Sequence, residues 1–173
     1  MEERILLLLG LLKVQSQHGY QINEFIERNL SRITDMKKAT AYATLNRLHQ
    51  DGYISVRTEQ EENRPPRKVY SITEKGEMRF WELLRTSLAE VGQMTLPGDI
   101  GLMFLDHLPH EEALSYLRAR LLKLEEQIEM YANIPYHGPQ SSIDLTVDRR
   151  LRLLQSDRDW LTETIDRLSQ FET

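Results

Sequence analysis

Residues 37–74, KKATAYATLNRLHQDGYISVRTEQEENRPPRKVYSITE, decide how the rest of the chain is read. Ala41, Leu45 and Leu48 recur at helical spacing and give one apolar face, which predicts a helix over Lys38–Gln50. Asp51-Gly52 ends it, because glycine takes the left-handed conformation that follows a last turn. Two alternating runs follow, over residues 53–58 and 67–72. Tyr53, Ser55 and Arg57 share one face of the first run, and Ile54, Val56 and Thr58 the other; in the second, Val69 and Ser71 alternate with Lys68, Tyr70 and Ile72. The connection over Gln60–Pro66 is longer than a tight hairpin and carries Asn63-Arg64-Pro65-Pro66. Helix, glycine stop and a hairpin with a basic tip form the plan of a winged helix-turn-helix. In that plan the helix can enter a DNA major groove while the hairpin tip reaches the backbone beside it.

Upstream, a helix is predicted over about Glu3–Val14 and a second near Gly19–Asn29, with Ile22, Phe25 and Ile26 on its inner face and His18-Gly19 breaking the chain between them. The apolar run Ile5–Leu12 is far short of the about twenty residues of a membrane span. Its acidic start, Glu2-Glu3, is wrong for a signal peptide, so it reads as a buried helix. Downstream, Thr73 is a candidate N-cap for a fourth helix reaching about Val91 and carrying Met78, Phe80, Trp81, Leu84 and Leu88. Gly92–Gly98, with Pro97, reads as a domain junction, and a short helix over Asp99–His107 stops at Pro109. Two long helices close the chain. Leu114, Leu117, Leu121, Leu124, Ile128 and Tyr131 step by threes and fours, and Val147, Leu151, Leu154, Leu161, Ile165 and Leu168 repeat the pattern with Arg158 in the one polar slot. Such a seam marks coiled-coil packing. A second hairpin supplied by a twofold partner, or the chain's own fourth helix, would cover it.

Charge is divided along the chain. The total is −5, but residues 1–80 hold 13 Lys+Arg against 11 Asp+Glu, and residues 81–173 hold 9 against 16. A mildly basic first half and an acidic second half suggest a binding domain followed by a solvated assembly domain. There is no cysteine, so disulfides, thiolate metal sites and thiol nucleophiles are excluded.

The chemistry-bearing residues cluster in the opening segment. Opposite Ala41, Leu45 and Leu48 the third helix shows Ala39, Thr40, Ala43, Asn46, Arg47 and Gln50. Two alanines four apart let the backbone approach a surface, and Thr40, Asn46, Arg47 and Gln50 offer hydrogen bonds to base edges or phosphates. Lys37 and Lys38 oppose the dipole at the helix start, an arrangement that a phosphate placed there would reward. Tyr42 lies on the flank, able to pack inward or to touch a phosphate. Arg64, Arg67 and Lys68 are the wing's phosphate or minor-groove candidates, whereas Glu59, Glu61 and Glu62 near the same tip would weaken binding unless aimed away. His107 and His110, beside Glu111 and Glu112, lack a third ligand at metal spacing, and acidic residues after Pro109 suit a helix start. No phosphate-cradling glycine loop, nucleophile elbow or paired-His motif occurs, so no enzyme, cofactor or metal is expected.

Taken together, His18-Gly19-Tyr20-Gln21-Ile22, Thr40-Ala41-Tyr42-Ala43-Thr44-Leu45-Asn46-Arg47-Leu48 and Gly52-Tyr53-Ile54 resemble the PadR family of bacterial transcriptional regulators. Arg64-Pro65-Pro66-Arg67-Lys68-Val69-Tyr70-Ser71-Ile72-Thr73-Glu74-Lys75-Gly76 is similar to the family's wing and following helix start. The acidic half, with Trp160 in its last helix, is similar to the branch that has a large helical C-terminal dimerisation domain. The resemblance implies a cytoplasmic homodimeric repressor or regulator on an inverted repeat of double-stranded DNA, sometimes released by a small effector. By matching, Lys38, Thr40, Tyr42 and Ala43 fall on the recognition helix, and Arg64, Arg67 and Lys68 on the wing. The family pattern often has Pro where this chain has Ala43.

The reading is therefore a mainly α protein: a winged helix-turn-helix DNA-binding domain over residues 1–91 with a two-stranded wing, and an antiparallel helical hairpin dimerisation domain over residues 92–173. Leu114, Leu117, Leu121, Leu124, Ile128, Leu151, Leu154, Leu161, Ile165 and Leu168 would carry dimerisation. Trp81, Met94, Met103, His107, Tyr131 and Trp160 are candidates for lining an effector pocket, although such residues more often belong to a core. Two rival readings are a winged-helix protein-interaction module and a small-molecule sensor whose DNA binding is secondary.

Overall fold

A computed structural model describes residues 2–18, 22–28, 34, 36–60, 67–91, 98–139 and 141–170, excepting the side chains of residues 15–18, 28 and 67. In chain order these form α1 (Glu2–His18), α2 (Ile22–Arg28), α3 (Lys38–Gln50), β1 (Ile54–Glu59), β2 (Arg67–Ile72), α4 (Glu74–Ala89), α5 (Asp99–Met103), a 3-10 turn (Leu105–His107), α6 (His110–Ala132) and α7 (Ser142–Ser169). They divide into two compact units, residues 1–93 and 94–173.

The first unit is built around α1. Its leucine run has no polar side to offer water, and α2, α3, β2 and α4 all pack against it. Leu8, Leu9 and Leu12 are fully buried with Ile22, Phe25 and Ile26 of α2 and Ala41, Leu45 and Leu48 of α3. Burying each leucine contributes roughly 1.5–3 kcal/mol against the entropy of ordering the chain. Gly10 lets α4 come close: a Cβ there would stand 3.2 Å from the Phe80 ring.

The two strands pair antiparallel, with Ile54 opposite Ile72, Val56 opposite Tyr70 and Thr58 opposite Lys68, so Ile54 and Tyr70 face the core. The expected first strand begins one residue early. Tyr53 lies just before the strand: its amide is turned back to the Leu48 carbonyl (2.9 Å), and only its carbonyl meets the opposite chain, accepting from the Thr73 amide (3.1 Å). Thr73 caps α4 as expected, its hydroxyl accepting from the Gly76 amide. The apolar residues that the sequence placed on this helix do not share one face: Met78, Trp81 and Leu88 are exposed, and burial falls on Gly76 and Leu83.

In the second unit the helix expected over Asp99–His107 breaks at Phe104 into α5 and the 3-10 turn. α6 and α7 run antiparallel, as Arg118 opposite Ser169, Arg120 opposite Asp157 and Tyr131 opposite Arg150 show. Leu114, Leu117 and Leu124 of α6 pack with Leu161 and Ile165 of α7, flanked by Leu121, Leu154 and Leu168. This redirects the expectation that a partner covers the seam. Five of its members are buried within a single copy, because two facing leucine stripes already satisfy each other. Ile128 and Leu151 remain half-buried. Among the described residues, no helix is long and apolar enough to cross a membrane.

Candidate nucleic-acid interface

The side of α3 turned away from the core is polar and exposed. With Ala41, Leu45 and Leu48 anchored in the core, helical geometry turns Ala39, Ala43, Asn46, Arg47 and Gln50 outward, and all five are exposed. Thr40 is half-buried, and its carbonyl accepts the Thr44 hydroxyl (2.7 Å). Lys37 is the N-cap yet makes no side-chain cap. Arg47 is exposed and lies 3.7 Å from Asp51 one turn later.

Lys38 is held differently. Its ammonium group is paired with Glu27 of α2, and the Tyr42 hydroxyl also donates to that carboxylate at 3.4 Å. The Lys38 hydrogen bond keeps the Glu27 carboxyl below the usual carboxylate range, against an opposing desolvation. Burial, reinforced by the neighbouring Glu27, raises the Tyr42 hydroxyl above its ordinary value. Tyr42 packs its ring on the core while its hydroxyl donates to Glu27.

The far end of α3 is fixed by the start of α4. Gly52 sits at φ 76°, where a side chain would be strained. The Thr73 hydroxyl lies 2.9 Å from both the Gly52 and Tyr53 carbonyls and also accepts from Gly76. Lys75 donates to the Asp51 carbonyl (2.7 Å) and lies over the Tyr53 ring at 4.7 Å. This cation at the C-terminal end of α3 is favoured by the helix dipole. α2 is tied to the hairpin by Asn23, whose side-chain amide donates to the Lys68 carbonyl (2.7 Å).

On the hairpin, Lys68 is exposed on β2. Arg64 lies outside the described residues, as do Glu61 and Glu62, and of Arg67 only the backbone is described. Glu59 is paired with Arg57 at 2.8 Å on the outward face of β1. Arg57 is itself highly exposed and belongs among the candidates, although the sequence reading did not single it out. Nothing in the sequence pointed to Glu27 or Lys75, whose contacts span eleven and twenty-four residues.

The remaining candidates are placed unit by unit. Trp81 of α4 is 42% exposed in the first unit, with Lys13 5.4 Å and Arg85 5.9 Å from its ring. In the second unit Met103 and Trp160 are exposed, and His107 pairs with Asp106 and stacks edge-on against Phe104; Met94 lies outside the described residues. A cleft of about 370 Å³ lies at the α6–α7 turn, walled by Tyr131, Ile134, Tyr136 and Leu151. Among the described residues, no group of three His, Cys, Asp or Glu side chains is placed to hold a metal.

Known proteins resemble this chain in sequence and in fold. Residues 8–82 match the model of the transcriptional regulator PadR-like family. The chain is 25% identical over 125 residues to the negative transcriptional regulator PadR of Bacillus subtilis; the match covers 70% of this chain and 66%, just under two thirds, of that relative. Its fold is similar to the crystal structure of Bacillus subtilis PadR in complex with operator DNA, with a TM-score of 0.72 at 19% identity over 95% of this chain and 98% of that one. It is also similar to the same protein in complex with p-coumaric acid, with a TM-score of 0.69 at 18% identity over 95% and 94% of the two chains.

Proposed function

Because the chain belongs, through residues 8–82, to the transcriptional regulator PadR-like family, we propose that it is a homodimeric cytoplasmic repressor that reads an inverted repeat and is released by a small effector. The observation that carries this reading is the outward face of α3, with Lys37, Ala39, Ala43, Asn46 and Arg47 exposed on a helix whose other side is locked into the core. Ala39 and Ala43 admit close approach to a groove; Asn46, Arg47, Thr40 and Gln50 supply hydrogen bonds, and Lys37, Lys38, Tyr42 and Lys68 contact phosphates. Arg64 and Arg67 join them on the wing.

Dimerisation is assigned to residues 94–173. The closed seam of α6 and α7 leaves Leu153 and Trp160 half-exposed at seven-residue spacing along α7, a stripe suited to a second copy alongside the half-buried Leu121, Ile128, Leu151, Leu154 and Leu168. Two copies would hold their α3 helices about one DNA turn, roughly 34–36 Å, apart. A small molecule that altered the angle between copies would spoil that spacing. Release of this kind is supported by the relative crystallised with p-coumaric acid. The chemistry throughout is recognition, without catalysis.

The test is a gel shift with the DNA upstream of the protein's own coding sequence, at low and at moderate salt. Binding that falls steeply as salt rises is the expected result, through release of counterions. Absence of a shift at low salt would turn the reading toward a protein-interaction module.

A further inference from the structure

We propose that Glu27 is an internal stand-in for a DNA phosphate, occupying the donors of the recognition helix until a duplex displaces it. The inference rests on the reading of α3 as the DNA reader.

Lys38 lies in the first turn of α3 and Tyr42 one turn later on the same side. One carboxylate takes both of their donors, the ammonium on one oxygen and the hydroxyl on the other. That is the constellation a phosphate asks for: a charged donor and a neutral donor converging on two oxygens of one anion. It also lies beside the start of a thirteen-residue helix whose N-cap side chain makes no cap.

The pair sits at the surface, with Lys38 and Glu27 side chains 55% and 52% exposed, so folding gains little from it. Its effect falls on binding. While Glu27 holds Lys38, the pair presents no net charge to an approaching duplex, and the carboxylate itself repels phosphates within a Debye length of about 8 Å at physiological salt. Lys37, one residue earlier, is exposed and has no ion pair among the described residues. The first turn therefore offers one cation at once and a second only after exchange of Glu27 for phosphate. Non-specific contacts are weakened by this exchange. A site that seats a phosphate firmly between Lys38 and Tyr42 is penalised less, which sharpens discrimination.

The experiment uses the full chain and a random-sequence 40-base-pair duplex, titrated by fluorescence anisotropy between 50 and 200 mM salt. Glu27→Gln removes the charge and keeps one acceptor oxygen, for Lys38 or for Tyr42. It should bind the duplex more tightly than the parent, with the salt slope steeper by about 0.9, so that the gain is some three- to fourfold larger at 50 than at 200 mM. In a Lys38→Ala background the same substitution still removes a bare carboxylate and raises affinity, but the slope should no longer steepen, because no cation is freed for a phosphate. Equal or weaker binding by Glu27→Gln, with the melting temperature unchanged, would assign Glu27 to positioning Lys38 and overturn the proposal. A slope that steepens equally without Lys38 would also overturn it, by making Glu27 a diffuse charge. If the parent chain does not bind the duplex at 50 mM salt, the failure belongs to the DNA-binding reading itself.

Discussion

The α-carbon of Gly76 faces the carbonyl of Tyr53 so closely that a Cβ in its place would lie 2.0 Å from that oxygen. Neither group can yield easily. The Tyr53 carbonyl accepts from the Thr73 amide and hydroxyl, and the Gly76 amide donates back to that hydroxyl. Gly76→Ala should therefore push the start of α4 off the turn that ends α3. We expect a loss of about 2–4 kcal/mol in chemical denaturation, in the range of overpacking and strained-backbone substitutions. Ala89→Gly at the exposed end of the same helix controls for helix propensity, and an unaltered midpoint for Gly76→Ala would contradict the close approach.

Thr73 offers a finer test of the same junction. Its hydroxyl caps α4 and reaches the Gly52 and Tyr53 carbonyls, so one oxygen joins the turn that ends α3 to the start of α4. Thr73→Ala should cost about 1–2 kcal/mol, as loss of a helix cap does, and Thr73→Ser should recover most of it. Thermal melts of the three proteins would show the ordering; equal melting of the Ala and Ser variants would remove the hydroxyl from the account.

These two residues mark how far the sequence was legible. Thr73 announced itself, because a hydroxyl before Glu-Lys-Gly-Glu has a local signature. The span of α3 was equally plain from Ala41, Leu45 and Leu48, since core periodicity is local information. Gly76 was not read as a contact, because its neighbour lies in the Gly52–Tyr53 turn rather than along the chain. The leucine seam is legible as apolar, but its cover is not. Periodicity shows which face is buried and not what covers it, and Leu161 and Leu114 are covered by each other's helices. Glu27 stayed invisible for the same reason: on α2 it is one more acidic residue, and only the fold carries it to Lys38.

Lys38 and Arg47 differ in what their loss leaves behind. Arg47→Ala removes a cation whose nearby carboxylate, Asp51, is exposed to solvent at the far end of α3. Lys38→Ala also strips the counter-charge from Glu27 at the helix start. Both should weaken duplex binding and reduce the salt slope by about 1 per lost phosphate contact, with Lys38→Ala the more damaging. Sedimentation should show the oligomer unchanged. Parent-like affinity for the double variant would move the DNA surface away from α3.

The turn between α6 and α7 has its own acid sensitivity. Asp144 accepts from the amides of His137 and Gly138 and from the His137 ring. Desolvation would raise its carboxyl, yet these hydrogen bonds outweigh it and hold the group below its usual range. A depressed carboxylate stabilises the fold above its unfolded pKa, about 3.9 for aspartate, and that contribution is lost as pH falls through the lower folded value. Helicity of the parent at 222 nm should thus melt earlier at pH 3 than at pH 7. Asp144→Asn should be less stable at pH 7 and decline less between the two; an identical decline would exclude Asp144 as the cause.

The assembly can be tested where the closed seam leaves room. Leu161 is fully buried inside the hairpin, so altering it would destroy the unit rather than report on a partner. Leu153 and Trp160 are 40% and 43% exposed along one stripe of the same helix, and charge there should be tolerated by a lone copy. Leu153→Glu with Trp160→Glu should keep the helical spectrum and shift the sedimenting mass from twice 20.4 kDa to 20.4 kDa. DNA affinity should fall with it, because two half-site readers joined in one particle bind with an effective concentration that separate copies lack. A variant that stays dimeric would place the twofold contact on another face of the unit, and one that was monomeric yet bound DNA as tightly as the parent would uncouple pairing from recognition.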